Sequence, residues 1–330
     1  MDLPETRPTV LHQSGIAALR VCPRKYYNSQ VLGLEQREVS DALKDGRALH
    51  KALESAAGEP DLDSQRMAAF AQVAADLGVG RIQPLNAARV RAMLIGYFRK
   101  WGKLQTWAKE YTVEGPIPGV DGMTFTGRID RVVQVPGGFA VVDYKTTSKV
   151  DAGYLESLNR QLQGPLYAHY LEQERGMEVV EIVYDLIVKP PSGMVPKMID
   201  VDHDNEVPGS RQMKSGPSKG LWRESRRENM DEFEKRLQGF YQDRLDEMIL
   251  RPSLLITREH RADALNELTL AAREVLWRLD TGNWGDNRNA CEGTFWPCPY
   301  RQLCYSRYSS LVIQNEYRRR EETVNNEEEE

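Results

Sequence analysis

Apolar residues recur at three- and four-residue intervals over residues 41–57 and 64–79, where alanine and leucine dominate, and this spacing predicts two helices. The same period continues through 86–110, with Val90, Met93, Leu94, Tyr97, Phe98 and Trp101 on one stripe. Ahead of these, Ser14 is read as the N-cap of a helical stretch over 14–30. Pro23 divides that stretch into two short pieces meeting at Cys22-Pro23. The period then changes to two. Segments 111–117, 123–135 and 139–145 read as strands, and Pro136-Gly137-Gly138 supplies the turn between the last two. A helix is expected over 154–174 and a strand over 179–188. Residues 189–222, rich in Pro, Gly, Ser and Lys, read as a long mobile excursion with a short strand at 195–201. Helices over 224–250 and 258–280 follow, then a cysteine- and aromatic-rich segment and a helix reaching residue 320. This order predicts a mixed α/β core preceded by a helical N-terminal portion.

Composition narrows the class. A chain of 330 residues, 40% hydrophobic and 28% charged, is neither disordered nor fibrous, and its length suits two domains or one elaborated α/β domain. No run of 18 apolar residues occurs, and the first ten residues carry neither a basic nor an apolar signal region. A cytoplasmic protein without a membrane segment is therefore expected. The net charge of −5 is misleading, because residues 321–330 hold six glutamates and the remaining chain sums to +1. That tail reads as a solvated, disordered end, and the near-neutral body leaves a nucleic-acid ligand open.

The chemistry concentrates in residues 124–147, TFTGRIDRVVQVPGGFAVVDYKTT. Alternation puts Asp143 and Lys145 on one face of their strand. A two-residue loop at Pro136-Gly137, or a four-residue loop centred there, sets Asp130 opposite Asp143. A loop at Gly137-Gly138 sets it opposite Lys145. Facing carboxylates repel and destabilise a sheet, which makes sense when a divalent cation lies between them. Hard oxygen ligands suit Mg²⁺ or Mn²⁺. Lys145 is then placed to orient or deprotonate the attacking water, or to neutralise a phosphate. Gly46 and His50 lie upstream on a predicted helix, and Gln163 and Tyr167 lie one turn apart on the helix that follows.

The four cysteines divide one plus three: Cys22 alone, then Cys291, Cys298 and Cys304 spaced C-x₆-C-x₅-C, with 268 residues between the first two. Thiols of a cytosolic protein stay reduced, so a four-thiolate metal site explains the clustering better than disulfides. Zinc and [4Fe–4S] both accept four thiolates.

The order G-x-x-x-H, G-x-x-D, D-x-K, Q-x-x-x-Y resembles the RecB-like branch of the PD-(D/E)xK nucleases, with Ile129 where the superfamily's name-giving proline stands. The resemblance implies a restriction-endonuclease-like mixed sheet flanked by helices, with His50, Asp130 and Asp143 as metal ligands. It implies Lys145 as catalytic together with the two acids, and Gln163 and Tyr167 as DNA-binding. The cysteine pattern resembles the iron–sulfur members, AddB-type and CRISPR-associated, although their first spacer is commonly two residues. By that resemblance Cys22, Cys291, Cys298 and Cys304 hold a [4Fe–4S] cluster joining the chain ends. The implied layout is a helical portion at 1–110, a nuclease core at 111–285, a Cys-rich cluster segment with a C-terminal helix at 286–320, and the acidic tail at 321–330. The implied activity is exonucleolytic or end-trimming hydrolysis of DNA, single-stranded or with free ends, in recombination, repair or CRISPR-type processing, with protein partners from those systems. A phage-encoded protein acting in the host cytoplasm fits equally. The alternative is a catalytically silent DNA-end-binding scaffold of the same fold.

Overall fold

In a computed structural model the described residues are 7–38, 40–292 and 297–320, without the side chain of Ala42. The acidic tail lies outside them. The chain order is β1 (Val10–Leu11), α1 (Gln13–Val21), α2 (Pro23–Tyr26), a π turn (Tyr27–Val31), β2 (Leu34–Gln36), α3 (Asp41–Ala56), α4 (Leu62–Gly78) and α5 (Pro84–Trp101). Then come β3 (Ala108–Pro116), β4 (Thr124–Val135), β5 (Gly138–Thr147), α6 (Ala152–Asn159), α7 (Gln163–Arg175) and β6 (Val179–Val188). A satellite of β7 (Met198–His203), β8 (Arg211–Gln212) and β9 (Trp222–Arg227) precedes α8 (Met230–Asp243), α9 (Leu245–Met248), β10 (Ile249–Leu250) and β11 (Ser253–Leu255). The chain closes with α10 (Arg258–Thr281), α11 (Arg301–Tyr305), α12 (Ser310–Glu316) and β12 (Tyr317–Arg319).

The central sheet is mixed. β4 pairs antiparallel with β3 along one edge over Thr124–Val132. Its other edge is shared: β5 takes Arg131–Val135 and β1 takes Thr124–Phe125. β5 continues past that point beside β6, parallel from Phe139 to Thr147. Between the two partners of β4 the sheet therefore forks. β10 and β11 close it against the far edge of β6.

Each face of the sheet carries a core. Phe125, Ile129, Val141 and Ile182 bury against α7 and α10 residues such as Leu166, Tyr170, Leu268 and Val275. On the opposite face Val133, Ala140, Val142 and Tyr144 bury against Leu49, Leu53, Met93, Tyr97 and Phe233 of α3, α5 and α8. The last strand, β12, pairs with β2 and ties the chain's two ends together around Tyr300, stacked on Tyr317 at 5.9 Å.

Several elements differ from the sequence expectation, each for a local reason. The third long helix stops at Trp101 because Gly102 takes φ 65°, and β3 starts early at Ala108. The helix expected over 154–174 breaks at Arg160, leaving α6 and α7 as separate pieces. Residues 224–250 begin as strand β9. Their helix starts only after Asn229, whose side chain and Glu232 form a capping box. The excursion over 189–222 contributes β7, β8 and the start of β9 to a small antiparallel sheet, β7-β9-β8, and the final helix gives way to β12.

One buried ionic group fastens the central strands together. Asp185 of β6, fully buried, accepts from Arg131 of β4 at 3.2 Å, from Arg251 at 2.5 and 3.0 Å, and from the Tyr97 hydroxyl at 2.5 Å. Arg131 also donates to the Tyr144 hydroxyl at 2.9 Å, so β4, β5, β6 and α5 meet at one carboxylate.

Candidate active site

The candidate catalytic residues gather where the sheet forks. The hairpin uses the two-residue loop Pro136-Gly137, since Val135 pairs with Gly138. Continued beyond Arg131↔Val142, that register sets Asp130 opposite Asp143, but here the two backbones have parted. The Tyr144 N–H has no β4 carbonyl to bond and instead donates to Asp130 Oδ2 at 2.8 Å. Side-chain alternation also slips at this point. Ile129 and Val132 are three apart, yet both lie in the first core. Asp130 is consequently turned towards α3, where His50 Nδ1 stands 3.6 Å from its Oδ2. Across the other edge, between the pairs Lys109↔Arg131 and Tyr111↔Ile129, Glu110 holds a left-handed backbone at φ 46°.

Asp143 points inward. Its Oδ1 accepts from Gln163 Nε2 at 2.8 Å, and its Oδ2 lies 2.8 Å from Lys145 Nζ. That Oδ2 is buried and has no aligned hydrogen-bond donor despite the nearby ammonium. Lys145 Nζ donates instead to Gln163 Oε1 at 3.0 Å. Gln163, the first residue of α7, thus bridges the acid and the lysine with its two amide ends.

Two glycines make this assembly possible. A Cβ on Gly46 would lie 2.9 Å from Thr146 Oγ1, so glycine lets α3 approach the end of β5 without moving that side chain. A Cβ on Gly127 would lie 2.2 Å from Tyr167 Cε1, so β4 accommodates that ring only without a side chain. Tyr167 is consequently buried, 6% exposed, and packs near Phe125 at 6.5 Å. Its ring is therefore not exposed for stacking on a base. Its hydroxyl instead accepts from Gln163 at 3.3 Å. Gln163 is likewise engaged with Asp143 and Lys145, so both residues expected to bind DNA here serve the acid–lysine pair. Tyr26, in the basic run after Cys22, is buried too and stacks on Trp284 at 5.8 Å.

Electrostatics follow from this packing. Burial, reinforced by the charge of Asp130, pushes the Asp143 carboxyl up to about 6 against the opposing pull of Lys145. Burial pulls the His50 imidazolium down, but the hydrogen bond and charge of Asp130 outweigh it and the net shift is upward. Burial likewise raises Glu110, opposed by Arg128 at 2.7 Å.

A cleft of about 1180 Å³ is lined by His50, Glu110, Asp130 and Lys145, while Asp143, Gln163 and Tyr167 are not among its walls. Sequence reasoning missed most of its walls: Arg47, Lys51, Glu54, Glu110, Arg128 and Lys189. Arg47 on α3 and Arg128 on β4 had a readable signal, each near a motif residue on its own element. Glu110 had none, because a left-handed backbone at a glutamate leaves no mark in the pattern.

The oxygen donors and imidazole suit a hard divalent cation, and the donor-poor Asp143 Oδ2 is an atom such an ion would satisfy. Among the described residues no three His, Cys, Asp or Glu side chains are gathered closely enough to hold one ion. The reason lies in the donors: Tyr144 N–H holds Asp130, while Gln163 and Lys145 hold Asp143, so two like charges rest apart.

The cysteines converge from both ends of the chain. Asn287 N–H donates to Cys22 Sγ at 3.3 Å, and Cys291 Sγ lies 3.8 Å from Asn287 O. Cys22, Cys291 and Cys298 line one cavity of about 350 Å³. Burial raises the Cys304 thiol, with further influence from the Cys298 and Cys22 charges.

With this geometry in view, the comparisons with known proteins are consistent. The profile of the PD-(D/E)XK nuclease superfamily matches residues 11–305, and the chain belongs to that superfamily. Among solved structures, a Eubacterium rectale protein provisionally assigned as an exonuclease is similar at 13% identity and a TM-score of 0.48, over 93% of each chain. No curated protein matches. Among the described residues no helix is long and apolar enough to cross a membrane.

Because folding lifts the Asp143 pKa, its ionisation favours the unfolded chain. The cost is absent below the ordinary carboxylate range, grows as pH rises towards about 6, and is complete above it. Asp143→Asn should therefore unfold at a higher temperature than wild type in chelator at about pH 8, with the gap closing towards about pH 4. An equal or lower unfolding temperature at the higher pH would contradict this electrostatic picture.

Proposed function

We propose that the protein is a metal-dependent nuclease that hydrolyses DNA phosphodiesters, acting from ends as an exonuclease or end-trimming enzyme in recombination, repair or CRISPR-type processing. The observation that carries this reading is the buried, donor-poor Asp143 Oδ2 beside Lys145, with Asp130 and His50 across the fork. Asp130, Asp143 and His50 would hold Mg²⁺ or Mn²⁺. The bound ion would polarise the phosphoryl oxygen and offset charge in the transition state.

The protein's own groups do the rest. An ammonium has three N–H donors. One at Lys145 Nζ goes to Gln163 Oε1 and none is aligned on Asp143 Oδ2, which leaves donors to orient the attacking water or meet the developing charge on the phosphate. Gln163 sets the lysine's direction, and the Tyr167 hydroxyl sets Gln163 in turn. His50 is held edge-on against the Tyr144 ring at 5.8 Å, which keeps its imidazole aimed at Asp130. A silent scaffold would gain nothing from keeping a lysine and two carboxylates in this arrangement.

We propose in addition that Cys22, Cys291, Cys298 and Cys304 hold a [4Fe–4S] cluster. Support comes from the four-thiol donor set and from the cavity that Cys22, Cys291 and Cys298 line together, with Cys304 beside Asn28; a cluster there would join the N-terminal helices to the C-terminal segment.

Two experiments test these readings. End-labelled linear DNA should be degraded with Mn²⁺ and spared in chelator, and circular single strands should survive. Asp143→Ala and Lys145→Ala should each abolish cleavage, and the wild-type rate should fall as pH drops through about 6, where Asp143 gains a proton. Full activity in Asp143→Ala would refute the catalytic assignment. For the cluster, anaerobically purified protein should be brown with about four irons and four sulfides per chain. Zinc alone would refute the iron–sulfur reading and leave the nuclease standing.

A further inference from the structure

The satellite sheet β7-β9-β8 has no core of its own. No residue of 198–227 belongs to any of the three apolar clusters among the described residues, and β7 alternates between half-buried and exposed along its length. Cross-strand ionic contacts hold it instead. Asp202 faces Arg223 and bonds it at 2.7 and 3.0 Å, Asp200 faces Ser225 and accepts from its hydroxyl at 2.5 Å, and His203 lies 3.3 Å from Glu224. Contacts of this kind contribute roughly 0.2–1 kcal/mol each, enough to order a small sheet but not to explain its charge.

The charge is unbalanced at one end. Residues 211–220, RQMKSGPSKG, carry Arg211, Lys214 and Lys219 and no acid. All three are exposed, and none has an ion-pair partner among the described residues. Arg211 also pairs directly opposite Arg223, two like charges face to face across β8 and β9. Asp202 already meets the Arg223 charge, so Arg211 is the member of the pair left to an outside anion. The hairpin is closed by backbone bonds from Gly220 N to Met213 O and from Met213 N to Leu221 O, each 2.8 Å, so the cations stand on an ordered turn. At its base the excursion springs from Lys189, which lines the catalytic cleft, and is anchored where Arg89 donates to Ser192 O and Met194 O.

We infer that this sheet is a wing that grips the phosphate backbone of the double-stranded part of the substrate, through Arg211, Lys214 and Lys219. The inference rests on the nuclease reading, which supplies a polyanion at the neighbouring cleft. At its β8–β9 edge the sheet carries these cations on a β-hairpin, the kind of element that a duplex groove admits and that phosphates attract.

The test is the salt dependence of binding by the full chain in chelator, which prevents cleavage, to a short blunt duplex and to a single strand of the same length. Three lost phosphate contacts should flatten the slope of log K against log salt by about 2.7 on duplex. Between 50 and 200 mM salt, wild type should then lose roughly 40-fold more affinity than Arg211→Gln/Lys214→Gln/Lys219→Gln. Lys214→Arg/Lys219→Arg should retain the wild-type slope, and all variants should unfold at the wild-type temperature because the changed side chains pack against nothing. An unchanged slope in the triple variant overturns the wing while wild type still binds and cleaves. An equal change on single strands overturns the assignment to duplex. Wild type that binds neither substrate overturns the nuclease reading, and the wing with it.

Discussion

A single buried carboxylate organises the catalytic end of this molecule. Asp185 draws Arg131, Arg251 and Tyr97 onto itself in the core, so strands that otherwise share only backbone ladders are also bound by charge-assisted bonds. The group holds two guanidinium ions against one carboxylate, and burying ions is tolerable only when their bonds are satisfied. The satisfaction comes from the neighbours: Arg131 gives further hydrogen bonds to Tyr144 and to Gln105 O at 2.6 Å. Tyr144 is thereby fixed from beneath, and it in turn offers its backbone N–H to Asp130 and its ring to His50. The scaffold and the site are linked through one side chain.

The fork in the sheet explains how two carboxylates can sit so near each other. Had β4 and β5 stayed paired past Arg131, Asp130 and Asp143 would have been cross-strand neighbours with nothing between them. By parting, the strands give each acid its own donor, the Tyr144 N–H for Asp130 and the Gln163 amide for Asp143. The left-handed Glu110 and the slipped alternation at Asp130 accompany this parting, and departures from regular geometry of this kind concentrate at working sites. The fold maintains a disfavoured arrangement there because the packing on both faces over-determines it.

Much of the fold was legible because it rests on periodicity. The stripe from Val90 to Trp101 became α5, and the alternation over 123–135 and 139–145 became β4 and β5 with the loop at Pro136-Gly137. Those segments supply apolar residues to the two cores, with Val141 of β5 in one and Ala140, Val142 and Tyr144 in the other, and burial is what periodicity records. The shared face of Asp143 and Lys145 was legible for the same reason. What the pattern could not carry were features made by non-local contact. The burial of Tyr167 depends on Gly127 in a different strand, and the turn of Asp130 towards α3 depends on where β4 leaves β5. Of the β7-β9-β8 sheet only the strand at 195–201 was legible, close to β7, because the pairing with β9 rests on ionic contacts between distant residues, with no apolar face to betray it.

The central claim is that Asp130 and Asp143, each held by its own donor, together bind a divalent cation. Thermal unfolding of the full chain across a Mn²⁺ titration tests it most directly, since a ligand that binds only the folded state raises the unfolding temperature with concentration. The account predicts such a rise for wild type and its loss in both Asp130→Asn and Asp143→Asn. An unfolding temperature indifferent to Mn²⁺ in wild type, or an equal rise in the two variants, would contradict it.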